Sequence, residues 1–327
     1  MRSVTLGRTG LKVSRLAIGC MSFGGPDARG FEWSLDYDAS KRLIDRAIDL
    51  GINFFDTADV YSQGRSEEIV GRVLEGRRGD VVIATKVGLP TGNGPEERGL
   101  GKRHVRTSLA KSLKHLRTSH IDLYQIHRWD YSTPIEDVLR TLTEAVRRDG
   151  TVDHLGASSM WAWQFAKALY TSDKLGLERF DTMQNHYNLA YREEEREMIP
   201  LCVQEEVAIL PWSPLARGFL SGRYKRKKRP TSLRYRKDRM MRERFFRPED
   251  FDVVERLTAM SKEKGITPSQ LALAWLLNKD FVASPIVGPT RVEQLEELVE
   301  ATNVKVKSSD IRRLEESYRP HPVLGHM

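Results

Sequence analysis

Cysteine is scarce. Two residues in 327, Cys20 and Cys202, stand far apart and form no CxxC pair. That excludes a disulfide framework and a cysteine metal site, and it suits a reducing, cytoplasmic compartment. No apolar run approaches the roughly 20 residues needed to cross a membrane. The opening Met1-Arg2-Ser3-Val4-Thr5-Leu6-Gly7 lacks the apolar stretch of a secretory signal. No Gly-x-Gly-x-x-Gly follows the first strand-like run, so the usual fingerprint of an open dinucleotide-binding sheet is missing. No metal site is read. Core-forming residues are plentiful, with 39% hydrophobic and 8% aromatic content, which excludes disorder.

The net charge of +8 invites a nucleic-acid reading until it is located. Residues 222–248 hold 13 Lys/Arg against two acids, Asp238 and Glu243, so the rest of the chain is slightly negative. The basicity belongs to one insertion. Tyr224, Tyr235, Phe245 and Phe246 are the rings within it that base stacking would use. No nucleic-acid recognition motif accompanies them.

Short apolar runs at 16–20, 53–56, 81–86, 121–127, 154–158, 182–186, 208–212 and 283–287 read as strands buried on both faces. Helical patterns lie between them. Asp38 and Ser40 are candidate caps for the first, and Gly51 ends it. A second opens at Ser66, and others are expected at 105–116, 135–148, 161–170, 193–205, 267–277 and 292–300. Eight alternations with no central linker predict one α/β domain over 1–327, a closed (β/α)8 TIM barrel. A doubly wound open sheet is the runner-up. Residues 2–13 read as a short hairpin before the barrel. Long loops are expected at 88–101 and 222–248, the latter a basic insertion after the seventh strand.

Polar residues end three apolar strands: Asp56, Lys86 and His127. In a barrel such ends face one mouth, where active sites sit. Tyr61 follows Asp56 by five residues. A tyrosine hydroxyl is a weak acid, with an ordinary pKa of about 10. A nearby lysine ammonium would stabilise its phenolate, a carboxylate would hold that lysine, and a histidine could hydrogen-bond a carbonyl oxygen. Together they would donate a proton and polarise a carbonyl. Any one of these residues alone reads as a solvated loop residue.

Longer motifs surround these positions. They are Gly51-Ile52-Asn53-Phe54-Phe55-Asp56-Thr57-Ala58, Ser66-Glu67-Glu68-Ile69-Val70-Gly71, Ala84-Thr85-Lys86 and Gln125-Ile126-His127. In this order they resemble the aldo-keto reductases over nearly the whole chain. Leu6-Gly7-Arg8-Thr9-Gly10-Leu11 is similar to the branch holding aryl-alcohol dehydrogenases and potassium-channel β-subunits. The resemblance implies a catalytic tetrad of Asp56, Tyr61, Lys86 and His127. It also implies NADP(H) lying extended across the mouth. Gly19 and Met21 would contact this cofactor, Ser158 and Gln184 would bind its nicotinamide carboxamide, and Trp212 would stack on the nicotinamide ring. Ser159 stands where many relatives have Asn. Ser213, Leu215, Arg217 and Gly218 would hold the pyrophosphate. Gly288, Thr290, Arg291, Gln294 and Glu297 would take the adenosine end, with Arg291 on the 2′-phosphate.

Met21, Tyr61, His127 and Trp129 are the expected substrate contacts, and Phe23 and Trp129 read equally well as mouth packing. The expected partner is a small carbonyl compound, an aldehyde or ketone, aromatic or phosphorylated. Nucleic acid and membrane are not expected, and no oligomeric state is assigned. An NADP(H)-sensing binding subunit with slow reductase activity is the alternative function.

Overall fold

The computed structural model describes residues 1–25, 32–226, 231 and 233–326. Within the basic insertion, residues 227–230 and 232 therefore lie outside the described residues. A hairpin of β1 (Ser3–Thr5) and β2 (Lys12–Ser14) comes first, with Val4 opposite Val13. Eight strands follow: β3 (Ala17–Gly19), β4 (Phe54–Asp56), β5 (Val82–Val87), β6 (Ile121–Ile126), β7 (Val152–Ser158), β8 (Phe180–Gln184), β9 (Ala208–Ile209) and β10 (Ile286–Val287). All neighbours pair in parallel, in the order β10-β3-β4-β5-β6-β7-β8-β9. The ring closes through parallel bridges Ile209–Val282 and Trp212–Ile286. The Ala283 and Ile286 amides donate to Ile209 O and Pro211 O across this seam. This is a (β/α)8 barrel.

Helices wrap the outside: α1 (Tyr37–Asp49), α2 (Arg65–Leu74), α3 (Lys102–Leu116), α4 (Ile135–Arg147), α5 (Ala162–Leu175) and α6 (Met198–Gln204). After β9 come α7 (Leu233–Lys237), α8 (Arg239–Arg244), α9 (Pro248–Lys264) and α10 (Pro268–Leu277). After β10 come α11 (Val292–Glu300) and α12 (Ser308–Glu315).

The strand period of two sorts the side chains. Phe55, Ile83, Tyr124 and Ile126 face the helices and join the large outer core. Phe54, Val82, Ala84 and Leu123 fill the barrel interior together with Leu6 and Val13 of the hairpin. The hairpin thus closes the lower end, and the open end is left for chemistry. Gly156 leaves room in this interior. A Cβ there would sit 2.4 Å from Thr182 Oγ1 and 2.8 Å from Gln125 Cγ.

Several boundaries differ from the sequence reading. Asp36, not Asp38 or Ser40, caps α1, its carboxylate accepting from Ala39 N at 2.9 Å. The 208–212 and 283–287 runs shorten to two-residue strands, because Pro211 and Pro285 lack the amide that a ladder needs. The 193–205 helix splits into a 3-10 turn and α6. Pro200 would clash with the carbonyl of residue 196 in a continuous helix. Helices α9 and α12 were not expected. The basic insertion is partly helical, and its aromatics are packed rather than displayed. Phe219 contacts Phe245 and Phe246 at ring-centroid distances of 5.8 and 4.9 Å, and Phe246 contacts Tyr224 and Tyr235.

Candidate active site

The alternation that buries Phe54, Ala84 and Leu123 inside the barrel puts Asp56, Lys86 and Gln125 on the same inner face, one layer higher. His127 follows in the same phase just past β6. Lys86 is fully buried. Its Nζ donates to Asp56 Oδ1 at 2.5 Å, to Thr57 O at 2.8 Å and to Tyr61 Oη at 3.3 Å. The second carboxylate oxygen of Asp56 accepts from Gln125 Nε2 at 3.0 Å and Gln184 Nε2 at 2.8 Å. A buried carboxylate is thus satisfied on both oxygens, as its burial requires.

Tyr61 sits on a strained turn. Ser62 and Gln63 have φ of 49° and 58°, a left-handed conformation that costs non-glycine residues energy. The Ser62 hydroxyl fixes the turn by donating to Phe23 O at 2.9 Å. The Tyr61 and His127 rings meet edge-on, with centroids 5.9 Å apart. The four tetrad residues expected from sequence are therefore brought together.

The electrostatics assign their states. Burial works against the Lys86 charge, but Asp56 and Tyr61 outweigh it, so the ammonium is held above its ordinary pKa. Burial raises the Tyr61 pKa, and the opposing pull of Lys86 does not cancel it. The sequence reading expected a lowered phenol; desolvation reverses the net direction. His127 is held well below its ordinary value, by burial first and then by Lys86 and Arg128. Its imidazole is neutral near pH 7. Its Nδ1 is buried with no partner among the described residues.

A cavity of about 590 Å³ opens above these groups. Asp56, Tyr61 and His127 line it, with Lys86 beneath. Gly19, Met21, Ser158, Gln184 and Trp212 border the same end. The Gln184 amide, expected to face a ligand, is engaged with Asp56 and Gln125. Ser159 Oγ accepts from Trp212 Nε1 at 2.9 Å. Trp212 lies flat on His186 at 4.3 Å, and His186 lies flat on Tyr191 at 4.3 Å, so the indole is clamped from behind.

Beyond Trp212, Ser213, Leu215, Arg217 and Gly218 form the next stretch of wall. Ser213, Ala216, Arg217 and Gly218 all have positive φ, and Asn188 Nδ2 holds Ser213 O at 3.0 Å. Arg217 Nε donates to Asp238 Oδ2 at 2.6 Å, and both side chains are buried. The insertion is thereby pinned to this loop. At the far end Gly288, Thr290, Gln294 and Glu297 complete the wall. The Thr290 amide and hydroxyl donate to Gln294 Oε1.

Two expected contacts fall outside the cavity lining. Arg291 is exposed at the N-terminus of α11. Trp129 packs toward Trp163, with ring centroids 6.3 Å apart. Sequence reasoning missed Gln125 as a holder of Asp56, although it shares the phase of Leu123 and His127. It also missed Arg128, which lines the cavity. Of metal-ligating side chains, His120, Asp122 and Asp153 lie together at the lower end of the barrel, where Arg78 already pairs with Asp122 at 2.6 Å.

The model of the aldo/keto reductase family matches residues 15–319. The versiconal hemiacetal acetate reductase of Aspergillus parasiticus is 38% identical, over 99% of this chain and 98% of that protein. A Saccharomyces cerevisiae protein named as an aryl-alcohol dehydrogenase is 36% identical over 98% of each. An aldo-keto reductase of Alternaria alternata is 36% identical, over 98% of this chain and 92% of that protein.

Proposed function

The chain belongs to the aldo/keto reductase family, and on that premise we propose that it is an NADP(H)-dependent carbonyl reductase in which Tyr61 donates the proton. The observation that carries this reading is Lys86 Nζ, buried between Asp56 Oδ1 and Tyr61 Oη at the cavity wall. A raised phenol pKa keeps Tyr61 protonated near neutrality, so it starts as an acid. A charged Lys86 3.3 Å away then stabilises the phenolate as the proton leaves. Neutral His127 offers a ring N–H to the carbonyl oxygen. Asp56, fixed by Gln125 and Gln184, keeps Lys86 in place.

The wall from Gly19 to Glu297 fits an elongated dinucleotide. Met21, Ser158 and Trp212 would hold its nicotinamide. The loop with Ser213, Leu215, Arg217 and Gly218 would face its pyrophosphate. Thr290, Gln294 and Glu297 would receive its adenosine, and exposed Arg291 beside Thr290 would reach a 2′-phosphate. When bound, this cofactor supplies the hydride, and the protein supplies position and charge.

The test is Tyr61→Phe, which keeps the ring and removes the hydroxyl. Turnover of aldehydes should fall to near background while NADPH still quenches Trp212 fluorescence. Wild-type kcat in this variant would remove Tyr61 from the reading.

A further inference from the structure

Trp212 is held at more points than a wall residue needs. Its Nε1 donates to Ser159 Oγ at 2.9 Å, and its backbone amide donates to Asn185 O at 2.8 Å. The His186 ring lies on the indole at 4.3 Å, 12° from parallel, and the Tyr191 ring lies on His186 in turn at 4.3 Å and 14°. His186 and Tyr191 are buried. Burial first, then Arg244 and Arg217, hold His186 well below its ordinary pKa, so the middle ring of the stack is neutral.

The segment after α12, residues 318–326, reaches this assembly by three routes. Leu324 N donates to Tyr191 Oη at 2.9 Å, at the end of the stack. His326 Nε2 meets Glu194 Oε1 at 2.9 Å; Glu194 Oε2 accepts from Asn185 Nδ2 at 2.9 Å, and Asn185 O is the group that holds the Trp212 amide. The third route is direct. The backbone turns at Gly325, with φ of 91°, and passes the indole edge so closely that a Cβ there would lie 3.5 Å from Trp212 Cζ2. The segment is itself anchored. Tyr318 Oη and His321 N both donate to Glu193 Oε1, the latter at 2.8 Å, and His321 Nε2 meets Asp250 Oδ1 of α9 at 2.9 Å. The side chains of His321, His326, Glu193, Glu194 and Asp250 are all buried.

Covering a core does not call for buried carboxylates, since apolar side chains do it without the desolvation cost. What such a network adds is position, because its hydrogen bonds are all satisfied in one arrangement only. Here that arrangement ends on the indole at the cavity wall. We propose that residues 318–326 are a working part of the cofactor site: docked on Glu193 and Glu194, they fix Trp212 as a rigid platform for the nicotinamide, with His186 and His326 as positioning residues. The proposal rests on the NADP(H) reading.

The experiment uses the full chain and measures NADPH affinity by calorimetry in a double-variant cycle. His326→Ala cuts the link to Glu194. It should weaken NADPH by about 3- to 10-fold, the cost of ordering one loosened side chain on binding. In a Trp212→Ala background the same change should cost less than about twofold, because the platform that it serves is gone. His326→Gln, whose amide nitrogen replaces Nε2, should keep most of the affinity. His186→Phe, which preserves the flat ring, should bind more tightly than His186→Leu. A second readout needs no cofactor. Acrylamide quenching of the emission that Trp212→Phe removes should rise in His326→Ala; the subtraction excludes Trp161, whose ring lies 4.8 Å from His326. Thermal melts establish that each variant is folded. Equal losses with and without Trp212 would overturn the proposal, since the segment would then serve stability alone. So would unchanged affinity and unchanged quenching in His326→Ala. If the wild type binds no NADPH while the quenching still rises, the cofactor reading alone fails and the hold on Trp212 stands.

Discussion

Replacing Lys86 by methionine separates charge from packing, since the two side chains have similar length. The ammonium lies 3.3 Å from Tyr61 Oη. With an effective dielectric near 20, full charges at that distance interact by about 5 kcal/mol. A phenolate only partly developed in the transition state would feel part of this, so kcat should fall by about two to four decades. The same change strands Asp56 as a buried carboxylate facing only two amides. Breaking a buried ion pair from one side costs about 3–5 kcal/mol, so the melting temperature should drop as well. The double variant Lys86→Met/Asp56→Asn removes both charges. It should regain most of the stability and none of the turnover, which distinguishes chemistry from folding. The assay is NADPH oxidation with an aromatic aldehyde, alongside thermal melts and NADPH titration. The reverse reaction adds a sign test. Alcohol oxidation needs the phenolate, and Lys86 lowers the Tyr61 pKa, so the alkaline rise of oxidation should move to higher pH in the variant. Turnover at the wild-type rate with an unmoved pH profile would refute the role given to Lys86.

Three further outcomes follow from particular contacts. The carboxyl of Asp59 is buried, and burial, then Glu67, raises its pKa to about 8. The folded state therefore keeps a proton that the unfolded chain releases near pH 4, and stability is lost as pH climbs through about 8. Asp59→Asn escapes this loss, so its melting-temperature gain over wild type should grow across that window; a constant difference would refute the assignment. Gly156→Ala should cost about 1–3 kcal/mol by overpacking and lower kcat, because the new methyl meets Gln125, which holds Asp56. Denaturant melts and steady-state rates check both, and unchanged values would show that the interior yields at no cost. Arg291→Ala should weaken NADPH by about one to two decades and leave NADH nearly unchanged in fluorescence titrations; equal loss for both would mean that Arg291 does not read the 2′-phosphate.

The barrel was legible because its strands are apolar runs ending in polar residues of one phase. Asp56, Lys86 and His127 stand out for that reason, and Tyr61 is tied to them by spacing. The wall residues from Ser158 to Glu297 came from family resemblance rather than from any local pattern. What escaped was set by distant partners. Gln125 looks like any polar residue in a strand until Asp56 is placed opposite it. Asp238 reads as one acid in a basic stretch, yet it pins Arg217 across 21 residues. Arg244 disappears among 13 like charges, although the fold places it against Trp212. Helix α9 carried its own signals, Pro248 at the start and Gly265 just past the end. They were hidden by the charge run before it. Trp129 had two readings, substrate contact and mouth packing, because adjacency to a catalytic motif does not say which way an indole turns; it lies near Trp163, outside the cavity lining.

The shared inner face of β4 and β5 also acts as a proofreading device for strand register. A slip of one residue in β5 would bring Thr85 to the inner face and turn Lys86 toward the helices. There the ammonium would lose the three acceptors it has now, Asp56 Oδ1, Thr57 O and Tyr61 Oη, and Asp56 would be left without its cation. Both halves of the error would be penalised together, and by an amount that no apolar residue in the strand could impose. A group kept for its reactivity thus gives the chain an independent reason to settle into one alignment, and a barrel that assembles wrongly announces itself as unstable before it could persist as inactive.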